Sequence, residues 1–466
     1  MAAISGPDRT RRGRETPLLA GTALLFLWPA LVNGFPLIFS DTGTYVSQAM
    51  ELHLGWDRPP YYSFFLLALD WGRTLWPPVI VQCVGVAWLI RRVQKAIFPG
   101  SGWRAGVALM SPLAAATSLP WVATQAMPDI FTPMMVLALA ILTLDAECGR
   151  LERLVLIAVI AFAIAAHLSN LPIYAGLCLA VLLPRAILFR RSVPWFAVLA
   201  PLVAGACALI GVNLVATGRI TLSPYGSTFV LARLLADGPA RVTLARDCAG
   251  MNWALCRYRS DLPKTADGFL WRADSPLYRA GGPVRLIDDT DAIVRRTLRA
   301  EPGAVTRDAA RDFLHQFVLF DPGSGLRPWR ATAGATIRRD FVPGAVARFD
   351  RSLQARGTMR IPFVLLILDR IVAWLGIAIT AGFAGVAAVR RRRATARLAV
   401  FAAIVLAALL GNAAVTGALS GPHDRYQCRV VWLAVLAAGL CLQSLFRPTL
   451  AADQQNHVGT EAGEAE

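Results

Sequence analysis

The residues with the clearest capacity for chemistry sit in two short polar stretches, each bordering a long apolar run. The first reads Phe39-Ser40-Asp41-Thr42-Gly43-Thr44-Tyr45 and is followed shortly by Trp56-Asp57-Arg58-Pro59-Pro60-Tyr61-Tyr62. The second reads Gly421-Pro422-His423-Asp424-Arg425-Tyr426-Gln427-Cys428-Arg429. A carboxylate at the edge of an apolar segment can take a proton from a hydroxyl lying at a membrane surface. An arginine at the same level can hold a phosphate by charge-assisted hydrogen bonds. Asp41 is therefore a candidate base, and Arg58 and Arg425 are candidate phosphate contacts, with Tyr61, His423 and Tyr426 beside them. A plainer role is open to each. Asp41 is also well placed to cap a helix starting near Thr42, and the arginines and Tyr426 would serve as interfacial anchors.

Two more polar positions accompany these. Asp129, in Met127-Pro128-Asp129, is either a second acid at the site or the cap of the apolar helix it precedes, and its position directly before that run favours the cap. His167, followed by Ser169 and Asn170, either lines a cavity or bonds a neighbouring helix at the interface. Cys248 and Cys256 lie close together in the longest hydrophilic segment and are expected to form a small-loop disulfide. Cys83, Cys178, Cys207 and Cys441 fall in apolar runs and are expected to be buried. No CxxC pair, His/Cys cluster, nucleophile triad or phosphate-binding glycine loop is present, so no metal-binding residues are expected.

The elements that must position these residues follow from composition. The chain has 466 residues, 56% of them hydrophobic and 17% charged, with mean hydropathy +0.50. Apolar runs free of charge alternate with arginine-rich breaks, the pattern of an all-α polytopic membrane bundle. About ten transmembrane helices are expected, over residues 18–38, 78–90, 105–122, 130–144, 154–168, 171–189, 195–216, 361–389, 398–419 and 430–445. The net charge of +17 gathers largely at helix ends. With no nucleic-acid-binding pattern beside it, that charge reads as a topology signal rather than a nucleic-acid interface. Arg9, Arg11, Arg12 and Arg14 precede the first run and put the N-terminus in the cytoplasm. Arg91/Arg92, Arg150/Arg153, Arg190/Arg191 and Arg390–393 then all fall on that side. The expected organisation is an N-terminal bundle over 1–216 with a first external loop at 39–77, an external, mostly helical domain at 217–360, and membrane helices over 361–446. A disordered cytoplasmic tail is expected at 447–466. Within the external domain, Ala309, Phe313, Phe317 and Phe320 recur at helical spacing and predict a packed face.

An acidic residue in the first external loop, followed by a basic-Pro-Pro-aromatic step, resembles the GT-C superfamily of membrane glycosyltransferases, which includes protein mannosyltransferases and aminoarabinose transferases. Asp41 and Arg58-Pro59-Pro60-Tyr61 stand at those positions, and Arg425-Tyr426 matches an Arg-Tyr step before a late helix. The resemblance covers roughly the first 145 residues best. It implies a multi-pass enzyme of a bacterial inner membrane, with a surface helix over 61–76. Such an enzyme moves a sugar from a polyprenyl phosphate donor to an extracytoplasmic glycan, lipid or protein. Many relatives pair their acid with a second one. Here Thr42 follows Asp41, so no paired-acid motif supports a divalent metal. Two other classes remain compatible with the pattern, a transporter or lipid flippase and a non-catalytic envelope assembly protein. Polar groups gathered at helix ends rather than mid-membrane favour surface chemistry over transport.

Overall fold

Apolar runs with neither strand alternation nor turn residues satisfy their backbone most simply as helices, and among the described residues such runs are helical over most of their length, the first expected span giving way after Asn33 to an extended segment. The computed structural model describes residues 9–187, 193–390 and 395–445, and these are helical with no strand beyond one isolated bridge, Leu37 to Gln125. The expected tail at 447–466, the end of the sixth apolar run at 188–189, Arg190/Arg191 and the arginines at 391–393 lie outside the described residues. The main helices are α1 (Arg9–Phe26), α2 (Thr42–Glu51), α3 (Tyr61–Asp70), α4 (Trp76–Ile97), α5 (Trp103–Ala116), α6 (Phe131–Leu144), α7 (Arg150–Ala166), α8 (Asn170–Leu177) and α9 (Trp195–Thr217). They continue as α10 (Gly226–Asp237), α11 (Ala266–Trp271), α12 (Ile287–Ala300), α13 (Pro302–Val318), α14 (Ala333–Asp340), α15 (Phe363–Arg390), α16 (Ala396–Ser420) and α17 (Asp424–Leu445).

Four of these, α9, α15, α16 and α17, are long and apolar enough to cross a membrane. The other apolar segments are shorter or interrupted. The third breaks at Thr117-Ser118 between α5 and Leu119–Ala123, and the sixth passes through a π-helical turn at Cys178–Leu182. α6 has 14 residues, all buried, so its apolarity is demanded by packing against its neighbours as much as by any surrounding lipid.

Small residues let the long helices meet closely. A Cβ on Gly376 of α15 would lie 2.9 Å from the Val435 backbone nitrogen of α17, and one on Gly417 of α16 would lie 2.6 Å from the Asp312 carbonyl oxygen of α13. At one end of the bundle the arginines pair off. Arg91 meets Glu15, Arg92 meets Asp145 and Glu152, and Arg397 donates to the Ala96 carbonyl. The candidate residues sit at the other end.

The segment between α9 and α15 does not fold as one unit. Residues 226–300 build their own core around Leu231, Leu235, Phe269, Leu277 and Ile293, with a disulfide joining Cys248 and Cys256. Beyond it, α13 lies along α16. Its deeply buried residues are Asp312 and Gln316, while Phe317 and Phe320 pack on Trp374 of α15. Of the expected face, Phe317 and Phe320 therefore pack, beside a polar seam, while Ala309 and Phe313 stay half-buried. α14 carries too few apolar residues for a core of its own and joins the membrane bundle's core. Ala333 and Ile337 pack there, and Ala333 comes so near Gly43 that a Cβ at position 43 would lie 2.9 Å from its backbone.

Three further expectations need correction. The last apolar helix begins at Asp424 rather than near residue 430, because Gly421-Pro422 already ends the preceding structure and the polar residues that follow remain helical. The surface helix stops at Asp70, where Trp71 and Gly72 take left-handed backbone conformations and Asp70 accepts from the Gly72 amide. Cys207 is exposed rather than buried, on the outward side of α9.

Candidate functional site

The chain from Asn33 to Asp41 leaves the bundle as an extended strand-like segment and must be held from outside. Leu37 exchanges backbone hydrogen bonds with the 124–126 segment, receiving the Ala126 amide and donating to the Thr124 carbonyl. Gln354, 1% exposed, completes the clamp. Its Oε1 accepts from the Ile38 amide at 3.0 Å and its Nε2 donates to the Ile38 carbonyl at 2.7 Å, while its own amide donates to Asn33 Oδ1. Asp41 is thus fixed at the N-terminus of α2 by a residue from the far side of the loop region.

Asp41 precedes α2, but its carboxylate does not cap that helix. One oxygen instead accepts from Arg58 Nη2 at 2.7 Å and from Arg425 Nη1 at 2.9 Å. The three side chains are 16%, 17% and 14% exposed respectively. Burial pushes the Asp41 carboxyl up, but the two guanidiniums outweigh it and hold the group well below the usual carboxylate range. Arg425 lies over the rings of Phe39 and Tyr426, 4.6 and 4.9 Å from their centroids. Arg58 stands 5.6 Å from the Trp271 ring.

These groups face one cavity of about 1160 Å³. Asp41, Arg58, His167, His423, Arg425 and Tyr426 all line it. His423 sits between two acceptors, the Gly421 carbonyl 3.0 Å from Nδ1 and Asp267 Oδ2 3.3 Å from Nε2. The Asp267 carboxylate raises its imidazole to about 9, so the ring is doubly protonated at neutral pH and ties α11 to the start of α17. His167 is oriented differently. Ser169 Oγ lies 2.8 Å from its Nδ1 while accepting from Arg429 Nη2 at 3.0 Å. The Ser169 amide also donates to Nδ1, at 3.4 Å, so Nδ1 acts as an acceptor and the His167 proton lies on Nε2.

Two candidate residues fall outside this cavity. Tyr61 donates to the Ala208 carbonyl of α9 at 2.6 Å and fastens α3 to the bundle. Asp129 is neither a cap, since α6 has no side-chain cap, nor a partner of Asp41. It faces the fully buried Arg429 at 3.5 Å and lines a separate pocket of about 30 Å³ that shares Phe39 and Arg425 with the large one.

Arg429 escaped sequence reasoning although it closes the second polar stretch. Its guanidinium also donates to Asn412 Oδ1 through Nε at 3.1 Å and Nη2 at 2.8 Å. An arginine at the border of one apolar run and an asparagine inside another were the available signal, because such groups must find each other. Asp267 and Trp271 carried no signal, since their segment reads only as a hydrophilic domain. Among the described residues no group of His, Cys, Asp and Glu is arranged to hold a metal ion. Compared with models of protein families, with curated proteins and with solved structures, the chain has no match.

Proposed function

We propose that the protein is a multi-pass GT-C-type glycosyltransferase of a bacterial inner membrane, taking a sugar from a polyprenyl phosphate donor and passing it to an extracytoplasmic acceptor. On this reading the shorter apolar helices complete about ten spans with those of full length, both termini are cytoplasmic, and residues 217–360 lie outside. The observation that carries the reading is the meeting of Asp41, Arg58 and Arg425, distant in sequence, at the wall of one large cavity beside the start of a spanning helix.

The pairing suggests how the step would run. With both guanidiniums on it, Asp41 is a weak base. A donor phosphate that draws Arg58 and Arg425 to itself would free the carboxylate and raise its basicity. The acceptor hydroxyl then gives its proton to Asp41, its oxygen bonds the sugar C1, and the C1–O bond to phosphate breaks. The electron pair leaves on the polyprenyl phosphate, which the two arginines stabilise as charge develops.

A transporter would need polar groups deep in the spans. The buried charges Arg429 and Asp369 instead fall within the first two turns of α17 and α15, which favours surface chemistry. The test is transfer from a labelled polyprenyl-phosphate sugar by the purified protein in proteoliposomes, together with a search for unused lipid-linked sugar in a deletion strain. Transfer by the wild type and its loss in Asp41→Asn are expected. Counterflow of the label across the vesicle without transfer would overturn the enzyme reading.

A further inference from the structure

The cavity holds a second cluster that the Asp41 chemistry does not use. Trp271, at the end of α11, lines it with 44% of its surface exposed. Trp56 lies 5.7 Å away with its ring inclined by 31°, and Phe229 stacks on Trp56 at 5.5 Å. The carboxylates of Asp57 and Asp267 line the same cavity, and Asp267 stays 61% exposed despite its bond to His423.

An indole left this open gains by being covered with apolar surface. Carboxylates at its rim accept hydrogen bonds from hydroxyls and repel anions. An acyl chain would meet the carboxylates at a desolvation cost, and a phosphate at this rim would meet Asp57 and Asp267 beside cations already paired, His423 with Asp267 and Arg58 with Asp41. A pyranose suits both features, with an apolar C–H face for the ring and hydroxyls around its edge for the carboxylates.

We propose that Trp271, backed by Trp56 and rimmed by Asp57 and Asp267, is the platform on which a carbohydrate ring of the acceptor binds. The assignment to acceptor rests on the glycosyltransferase reading above. Trp271 and Asp267 belong to the separately cored 226–300 unit, whereas a lipid-borne donor must be met at the helix ends, where Arg425 stands. Arg58 contacts both Trp271 and Asp41, so a single side chain separates the platform from the base. This arrangement makes the substrate a glycan or glycolipid rather than a protein hydroxyl.

Two measurements on the full chain in nanodiscs test this. In saturation-transfer NMR with a panel of pyranose disaccharides, at least one member should receive saturation on its ring C–H protons from the wild type. That signal should vanish in Trp271→Ala and persist in Trp271→Phe, the aromatic control for folding. In the transfer assay, Trp271→Ala should raise the acceptor KM about tenfold, the worth of one aromatic stack, with Trp271→Phe recovering most of it. No signal from any panel member, equal signal in Trp271→Ala, or a rise in donor KM in place of acceptor KM would overturn the platform. The NMR arm needs no turnover. Binding at Trp271 together with undiminished transfer by Asp41→Asn would sink the proposed base and leave the platform standing.

Discussion

Replacing Asp41 by asparagine changes one charge and almost no volume, so its effects on stability and activity can be worked from the geometry. The Asp41 carboxylate is the shared counter-ion of Arg58 at 2.7 Å and Arg425 at 2.9 Å, with all three side chains under one-fifth exposed. Each pair at such separations is worth about 6 kcal/mol of gross attraction at an effective dielectric constant near 20, much of it offset by desolvation. One carboxylate oxygen makes both contacts, so the asparagine carbonyl can keep the two hydrogen bonds, but it carries no charge to offset the guanidiniums. Two positive groups are left facing each other. Breaking a buried pair costs about 3–5 kcal/mol, and the residual exposure here places the loss near the lower end. Unfolding of the variant in nanodiscs, by heat or denaturant, should show it. Crossing Asp41→Asn with Arg425→Gln in a double-mutant cycle should give a coupling of about 1–3 kcal/mol. Transfer activity should fall by about 10²–10⁴-fold, the usual contribution of a general base. Wild-type melting together with additive effects in the cycle would refute the ion-pair argument. Wild-type transfer by a properly folded variant would refute the base.

Other perturbations test the supports of the site. Gln354→Ala strands the buried amide and carbonyl of Ile38, so a loss of about 2–4 kcal/mol in unfolding measurements is expected, along with faster amide exchange at residues 37–41. Gly43→Val should push α14 off α2, because even a Cβ there would lie 2.9 Å from the Ala333 backbone. Destabilisation of about 1–3 kcal/mol is expected, and wild-type melting would mean the two helices are not in contact. The His423–Asp267 pair should make stability depend on pH. A histidine raised to about 9 in the fold contributes fully below its unfolded value near 6.5 and loses that contribution as pH rises through 9. Melting curves from pH 6.5 to 9.5 should fall more steeply for the wild type than for Asp267→Asn, and parallel curves would show the pair to be absent.

Some of this architecture was legible in the chain alone because its causes are local. Hydrophobic runs without charge tend to form helices wherever they sit, so among the described residues each predicted apolar segment is largely helical, the first run being extended only at 35–38. Asp41, Arg58, Arg425 and His423 drew notice because charged groups beside apolar runs are costly and rare. Helix ends were less legible. At the start of α17, Asp424 accepts from the Asp321 amide, a contact from a distant loop that the local pattern does not contain. Tyr61 and Asp129 were read by their neighbours in sequence, but each was claimed by a partner in space, the Ala208 carbonyl and Arg429. Local pattern says that a polar group needs a partner and is silent on which one.

Sequence by itself determined that this chain is a helical membrane protein with polar chemistry at the borders of its apolar runs. Hydropathy and charge act residue by residue, so that much requires no knowledge of who meets whom. Only the tertiary structure decided that Asp41 and Arg425, 384 positions apart, share a hydrogen bond. It likewise decided that Trp271 and Asp267 of a separately cored unit close the same cavity, and that Gln354 holds the strand leading to the acid. Those meetings arise from close helix approach at glycines and from buried polar groups that must be satisfied together. Both are properties of packing, which no single stretch of the chain contains.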